Sequence, residues 1–124
     1  WNEWHYTDSD DAALDGHFAA QKTYDYFKNT HFRNSYDGSN SKIKIYTHFA
    51  NPDGSGWNNA SWDNDAKLIR CGDGDGVLYT PLTAVDVIAH EIGHGVTHSV
   101  ANLNANGEPG AIDEGLSDIW AARS

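Results

Sequence analysis

Two histidines and a glutamate stand at a spacing suited to metal chemistry, in the run His90-Glu91-Ile92-Gly93-His94. On an α-helix, positions i and i+4 lie one turn apart on the same face, so both imidazoles would point to one place. Two imidazoles there can bind one Zn²⁺ through ring nitrogens. Glu91 would lie one step round the helix, close enough to deprotonate a metal-bound water without ligating the metal. The alternative for the pentapeptide alone is a pair of structural histidines that contact carboxylates.

A candidate third ligand follows in the segment 110–118. A catalytic zinc needs three protein ligands and one open position. Glu114 lies twenty residues after His94, and Asp118 lies four residues after Glu114, so the two carboxylates share one helix face. Glu114 can complete a His₂Glu set, and Asp118 can accept the other N–H of a zinc-bound histidine. A solvated helix face is the alternative, but an apolar stripe predicts the buried side of this helix. That stripe consists of Ile112, Leu116, Ile119 and Trp120.

The first part of the chain predicts a long helix and then a small sheet. Between about residues 10 and 34, mostly apolar side chains recur at helical spacing. They are Ala13, Leu14, His17, Phe18, Ala20, Tyr24 and Phe27. From about residue 42 to 79 the pattern changes to short strands, the first with Ile43 and Ile45 alternating with lysines. Segments 57–62 and 67–71 are further strand candidates. The glycines and aspartates of 72–76 predict a tight turn.

Two further helices are predicted to carry the histidines and the acidic pair. Thr83 predicts an N-cap, and Asp86 three residues later approximates a capping box. An apolar face at 3-4-4 spacing then predicts the buried side of the first of these helices. It consists of Val85, Ile88, Ile92 and Val96. The segment 102–107 ends this helix, and the next begins at Pro109 or Gly110. Helices and a separate sheet together predict an α+β fold.

Composition narrows the classes of function. The 124 residues suffice for one domain with a modest core. Eight basic against 18 acidic residues leave a net charge of −10, which opposes binding to nucleic acid or an anionic membrane and attracts cations. No apolar run is long enough for a transmembrane helix or a signal sequence. A single cysteine, Cys71, allows no internal disulfide. Because the chain opens at Trp1 and contains no methionine, we expect a processed or trimmed product.

The HExxH run, followed about twenty residues later by Gly-Ala-Ile-Asp-Glu-x-x-Ser-Asp, resembles the thermolysin-like (M4) zinc metallopeptidases, a gluzincin family. The likeness extends over nearly the whole chain. Residues 23–29 and 35–38 resemble the family's long N-terminal helix and the turn after it. Residues 58–62 resemble its substrate-binding edge strand, and 72–76 resemble the turn before its active-site helix. The implied fold is a zincin-like α+β lobe with a small twisted sheet, a long N-terminal helix, an HExxH helix and a helix carrying the glutamate ligand.

The resemblance implies a role for each residue of the metal site. His90, His94 and Glu114 would be the zinc ligands, and Glu91 would be the general base. Asp118 would accept a hydrogen bond from His90 outside the ligand set.

The resemblance also implies a substrate site and a second cation. Asn59 through its side chain and Ala60 through its carbonyl would hold the substrate backbone, as an exposed edge strand can pair with an extended peptide. Asp86 stands where one of the family's calcium ligands lies. Helix capping by Asp86 is the alternative to calcium.

The implied function is a secreted zinc endopeptidase that hydrolyses peptide or protein substrates by attack of zinc-bound water. Residues 1–124 would be its N-terminal catalytic lobe, without the C-terminal helical lobe that supplies oxyanion-stabilising groups in the family. We therefore expect zinc binding with weak or no activity, unless the other lobe is present as a separate chain. The competing class is a non-catalytic zinc- or calcium-binding fragment or interaction module. A fourth protein ligand such as His98 would favour that class.

Overall fold

A computed structural model describes residues 11–75, 82–101, 103 and 106–124. Within these residues it contains three helices and three strands, which confirms the α+β class. In chain order they are α1 (Asp11–His31), β1 (Ile45–Phe49), β2 (Ala60–Asp63), β3 (Leu68–Gly72), α2 (Val85–Val100) and α3 (Gly107–Arg123). The parts of the predicted sheet and turn between residues 76 and 79 lie outside the described residues. So do the predicted helix start at residue 10 and much of the predicted break at 102–107.

The three strands form one mixed sheet in the order β1-β3-β2. The central strand β3 runs parallel to β1 and antiparallel to β2, with Ile69 opposite Ile45 and Cys71 opposite Ala60. Ile69 and Cys71 are fully buried, as expected for alternate residues of a strand that faces a core. Among the described residues β2 has no strand partner on its outer side. β2 is therefore an edge strand, and it begins at Ala60 rather than at residue 57 or 58.

Helix α1 packs on the sheet mainly through small residues, and the predicted stripe is buried only in part, at Ala13, Ala20 and Phe27. Phe18 is exposed, so its place in the predicted buried face is wrong. A Cβ added at Gly16 would lie 3.7 Å from methyl carbons of Ile45 and Thr83, so the helix backbone runs close to β1. Such a close approach is possible only where side chains are small. The buried residues of the helix are Ala12, Ala13, Gly16, Ala19, Ala20, Thr23 and Phe27.

Helix α2 crosses the centre of the molecule, between the sheet, α1 and α3. Ile88, Ile92 and Val96 are buried, as their helical spacing predicts. The N-cap, however, is Ala84, and no side chain caps it, so the predicted Thr83–Asp86 capping box is wrong. Thr83 is instead buried in the packing against α1.

Helix α3 buries a face that lies beside the apolar stripe that the sequence predicts, and only part of that stripe is covered. Its buried residues are Gly110, Asp113 and Ser117, whereas Ile112 and Ile119 are about half exposed. The reason is a close contact with α2, since a Cβ at Gly93 would lie 3.0 Å from the Ser117 Cα. Only small or compact polar residues fit at that distance. The predicted apolar stripe is therefore wrong for Ile112 and Ile119, whereas Leu116 and Trp120 are half-buried and Trp120 packs against Phe27 in the core. Helix α3 begins at Gly107 rather than at Pro109 or Gly110.

Candidate metal centre and active site

Side chains from α2 and α3 form one cluster of possible metal ligands. The Nε2 atoms of His90 and His94 are 3.1 Å apart. Glu114 brings one carboxylate oxygen to 3.1 Å from His90 Nε2 and the other to 3.3 Å from His94 Nε2. Ligands at the corners of a tetrahedron around zinc, each about 2.0–2.1 Å from it, are about 3.3 Å apart. The donor set therefore fits a four-coordinate zinc ion with one position left open.

The first histidine of the cluster is oriented by a carboxylate. The Nδ1 atom of His90 lies 2.7 Å from an oxygen of Asp118, one turn beyond Glu114 on α3. A carboxylate there holds the proton on Nδ1 and leaves the Nε2 lone pair for a metal. The structure thus brings together all four residues that the sequence analysis grouped around a metal: His90, His94, Glu114 and Asp118.

Glu91 lies buried beside the cluster. Burial raises the pKa of its carboxyl group, while His94, His90 and a hydrogen bond from the Trp62 backbone act in the opposite direction. A carboxyl group whose pKa is raised toward neutrality is a more effective proton acceptor and donor in catalysis. The position and the electrostatics of Glu91 both suit general acid–base chemistry at this site.

The cluster opens onto a groove of about 390 Å³ between β2 and the two helices. The strand side of the groove is lined by Asn59, Ala60, Ser61 and Trp62. The predicted substrate-binding residues Asn59 and Ala60 therefore face the same space as Glu91 and the histidines. In this structure the Asn59 side-chain oxygen accepts a hydrogen bond from the Ala60 backbone N–H at 2.9 Å.

Two buried residues near the cluster were missed by the sequence analysis. Asp113 places one carboxylate oxygen 3.0 Å from His94 Nδ1, and Ser117 Oγ lies 3.3 Å from the same nitrogen. The other Asp113 oxygen faces His98 Nε2 at 3.6 Å. His98 lines the same groove but faces Asp113 and lies outside the group of close ligand atoms, which disfavours a closed, four-ligand site. A signal for Asp113 did exist, since 110, 113 and 117 share a helix face, but that face is not hydrophobic.

The remaining candidates lie apart from this cluster. Asp86 is exposed and accepts a hydrogen bond from the Val87 backbone at 3.0 Å. Among the described residues, the single group of three possible metal ligands is His90, His94 and Glu114, so calcium binding through Asp86 stays a prediction. Burial, followed by the charge of Glu91, raises the pKa of Cys71 to about 12, so this thiol stays protonated.

Sequence comparison relates the chain to known proteins. The family model described as thermolysin metallopeptidase, catalytic domain, matches residues 1–98. A bacillolysin of Brevibacillus brevis is 46% identical over 115 residues, which are 92% of this chain and 21% of that protein. A thermolysin of Alicyclobacillus acidocaldarius subsp. acidocaldarius is 46% identical over 112 residues, which are 90% of this chain and 19% of that protein. The chain thus spans about a fifth of the length of these relatives.

The fold has a solved counterpart. The precursor of protealysin, a metalloproteinase from Serratia proteamaculans, matches with a TM-score of 0.85 and 32% identity, over 98% of this chain and 36% of that chain. The family match ends at residue 98, before Glu114, so the placement of that carboxylate rests on the geometry of α3. No helix in the described part of the chain has the length and apolar character needed to cross a membrane.

Proposed function

The chain belongs to the thermolysin metallopeptidase family, and from that premise we propose that it carries the zinc-binding part of an endopeptidase active site. The observation that carries this proposal is the cluster of His90, His94 and Glu114, whose ligand atoms lie within 4.8 Å of one another beside a buried glutamate. The donor set is the His₂Glu combination that catalytic zinc sites use.

Each residue of the site has a separate task in this proposal. His90 and His94 hold the metal through Nε2, and Glu114 holds it through its carboxylate. Asp118 keeps His90 in the tautomer with its proton on Nδ1. Zinc, when bound, supplies Lewis acidity that lowers the pKa of a water molecule and polarises the peptide carbonyl.

Glu91 performs the proton transfers. Its carboxylate accepts a proton from the attacking water and then donates that proton to the leaving amine. The burial that raises the Glu91 pKa favours both steps, because the group binds the proton more strongly than an exposed glutamate and can still release it to an amine. The Trp62 backbone N–H that donates to this carboxylate holds it beside the histidines.

The substrate in this proposal is an extended peptide or protein segment that pairs with the outer edge of β2. That edge faces the groove, and a strand edge with no strand partner among the described residues can pair with an extended peptide. Asn59 and Ala60 hold the substrate backbone there. The secreted location implied by the resemblance is part of the same proposal, because the natural substrates would be extracellular proteins or peptides.

We further propose that residues 1–124 form the first lobe of a two-lobed catalytic region. The relatives are about five times as long as this chain. Ile112 and Ile119 on α3 are about half exposed. Each group that stabilises the oxyanion raises the catalytic rate by about 10²–10³-fold, so a lobe without such groups should have weak or no activity.

The test combines metal analysis with a peptidase assay. The wild-type chain is expected to bind zinc and to lose it on substitution His90→Ala. Casein hydrolysis is expected to be weak or absent until a separately produced C-terminal lobe of a relative is added. Glu91→Gln is the matched control, because it keeps all three ligands and removes the base. A wild-type chain that binds no zinc contradicts the proposal, and fast hydrolysis by the chain alone contradicts the expected need for a second lobe.

A further inference from the structure

Asp113 is a buried carboxylate to which the proposed mechanism gives no task. Its side chain is only 9% exposed, at the contact between α2 and α3. A carboxylate in such surroundings is costly unless neighbouring groups pair with it. The groups that face it in the described structure are the imidazoles of His94 and His98, one turn apart on α2. The arrangement therefore links a proposed zinc ligand to a second histidine through one buried acid.

The two carboxylate oxygens of Asp113 face different histidines. One Asp113 oxygen lies 3.0 Å from His94 Nδ1, the nitrogen on the side of the ring away from the metal cluster. This oxygen has no aligned hydrogen bond among the described residues, although it is buried. The other oxygen faces His98 Nε2 at 3.6 Å, within ion-pair range. A small rotation of either side chain would align the first contact, and the second limits how far the carboxylate can turn.

A competing interpretation is that Ser117 orients His94. Its Oγ lies 3.3 Å from the same Nδ1 atom. A hydroxyl can accept a hydrogen bond, but a carboxylate accepts a stronger one and raises the basicity of the imidazole more. Ser117 is also fully buried in the contact with Gly93, which explains its presence without a role toward the metal. The geometry and the chemistry favour Asp113 over Ser117.

Resting on the zinc site proposed above, we propose that buried Asp113 and half-buried His98 form a pair that positions His94 for metal binding. Asp113 accepts the Nδ1–H of His94 and so directs the Nε2 lone pair toward the cluster. His98 holds the second carboxylate oxygen and keeps the acid from turning away. Asp113 and His98 are positioning residues, since they act through His94.

The test measures zinc affinity by competition with a chromophoric chelator. Asp113→Ala is expected to weaken zinc binding by about 10–100-fold, the usual loss when such an outer partner of a histidine ligand is removed. Asp113→Asn is expected to recover part of that loss, because its amide oxygen still accepts the Nδ1–H. His98→Gln should weaken binding in the wild-type background and have no further effect in the Asp113→Ala background. This coupling separates the proposed pair from two independent contacts.

The controls distinguish a positioning role of Asp113 from an effect on folding and from a positioning role of Ser117. Ser117→Ala should leave zinc affinity nearly unchanged. Metal-free melting curves identify any variant that fails to fold. If Asp113→Ala fails to fold, the zinc affinity of Asp113→Asn, which keeps the size and shape of the side chain, is compared with that of wild type. The pair is refuted if wild-type affinity persists in folded Asp113→Asn and His98→Gln, or if Ser117→Ala causes the larger loss. If the wild-type chain itself binds no zinc, it is the proposed function that fails.

Discussion

The two histidines of the metal cluster are similarly placed, but the carboxylates that contact them differ sharply in exposure. His90 contacts Asp118, whose side chain is 77% exposed, whereas His94 contacts Asp113, whose side chain is 9% exposed. Both carboxylates come from α3, and both face the Nδ1 atom of their histidine. The cluster therefore has an open side, His90 with Asp118, and a buried side, His94 with Asp113.

The difference in exposure between the two carboxylates indicates where metal binding and folding are coupled. On the open side, water can replace a lost partner, so a hydrogen bond or ion pair there adds little to stability. On the buried side, removal of one partner leaves a buried polar atom of the other without a bonding group, and the cost is larger. We infer that the buried side couples the metal to the contact between α2 and α3, while the open side mainly orients a ligand.

The largest expected effect concerns Glu91, which belongs to neither side. Glu91→Gln should lower the peptidase rate of the chain combined with a second lobe by about 10²–10⁴-fold, the usual contribution of a general acid–base group. Zinc affinity should stay within a few-fold of wild type, because all three ligands remain. Steady-state kinetics and chelator competition on the same preparations check both statements. A parallel loss of zinc would mean that Glu91 supports the cluster and is not its base.

Substituting each zinc-ligand histidine in turn should give the most direct comparison of the open side with the buried side. His90→Ala and His94→Ala should each weaken zinc binding by more than about 100-fold, since loss of a ligand exceeds loss of an outer partner. Only His94→Ala should also destabilise the metal-free protein, by about 1–3 kcal/mol, because it leaves the buried Asp113 oxygen that faced His94 without a partner, although His98 still faces the other oxygen. Urea unfolding in the presence of a chelator measures this difference. Equal destabilisation by the two variants would refute the comparison.

The spacing between the helices should affect the buried side in particular. Gly93→Ala places a methyl group 3.0 Å from the Ser117 Cα. The strain should cost about 1–3 kcal/mol, partly offset by the better helix propensity of alanine. Zinc affinity should fall as well, because α3 carries Glu114. Gly115→Ala is the matched control: nothing lies within 4 Å of its added Cβ, so it should stabilise the helix slightly.

The same contact explains which features the sequence could predict. The i, i+4 spacing of His90 and His94, and of Glu114 and Asp118, follows from helix geometry alone, and the structure brings these side chains together. The buried face of α3 was predicted only in part, because hydrophobicity selects bulky residues such as Ile112, which is exposed. The actual face is selected by the distance between two helices, and that distance depends on Gly93, far away in sequence. Asp113 was missed for the same reason.

A smaller effect should appear in the stability of the metal-free protein. Burial raises the pKa of Glu91, so the folded state binds this proton more tightly than the unfolded chain does. Such a group favours folding at low pH and loses that contribution as the pH rises through the folded pKa. Metal-free Glu91→Gln should therefore melt a few degrees above wild type at neutral pH. The difference should shrink on acidification, and thermal melts at several pH values would show whether it does.

The smallest expected effect lies on the open side. Asp118→Asn keeps an oxygen that can accept the Nδ1–H of His90 and removes a charge that is mostly in water. Zinc affinity should fall by only about 10-fold or less, at the low end of losses for outer partners, and the metal-free melting temperature should not change. Chelator competition and thermal melts, run beside Asp113→Asn, measure both quantities. If Asp118→Asn costs more affinity than Asp113→Asn, then orientation of His90 limits metal binding, and the pair of Asp113 and His98 serves the fold more than the site.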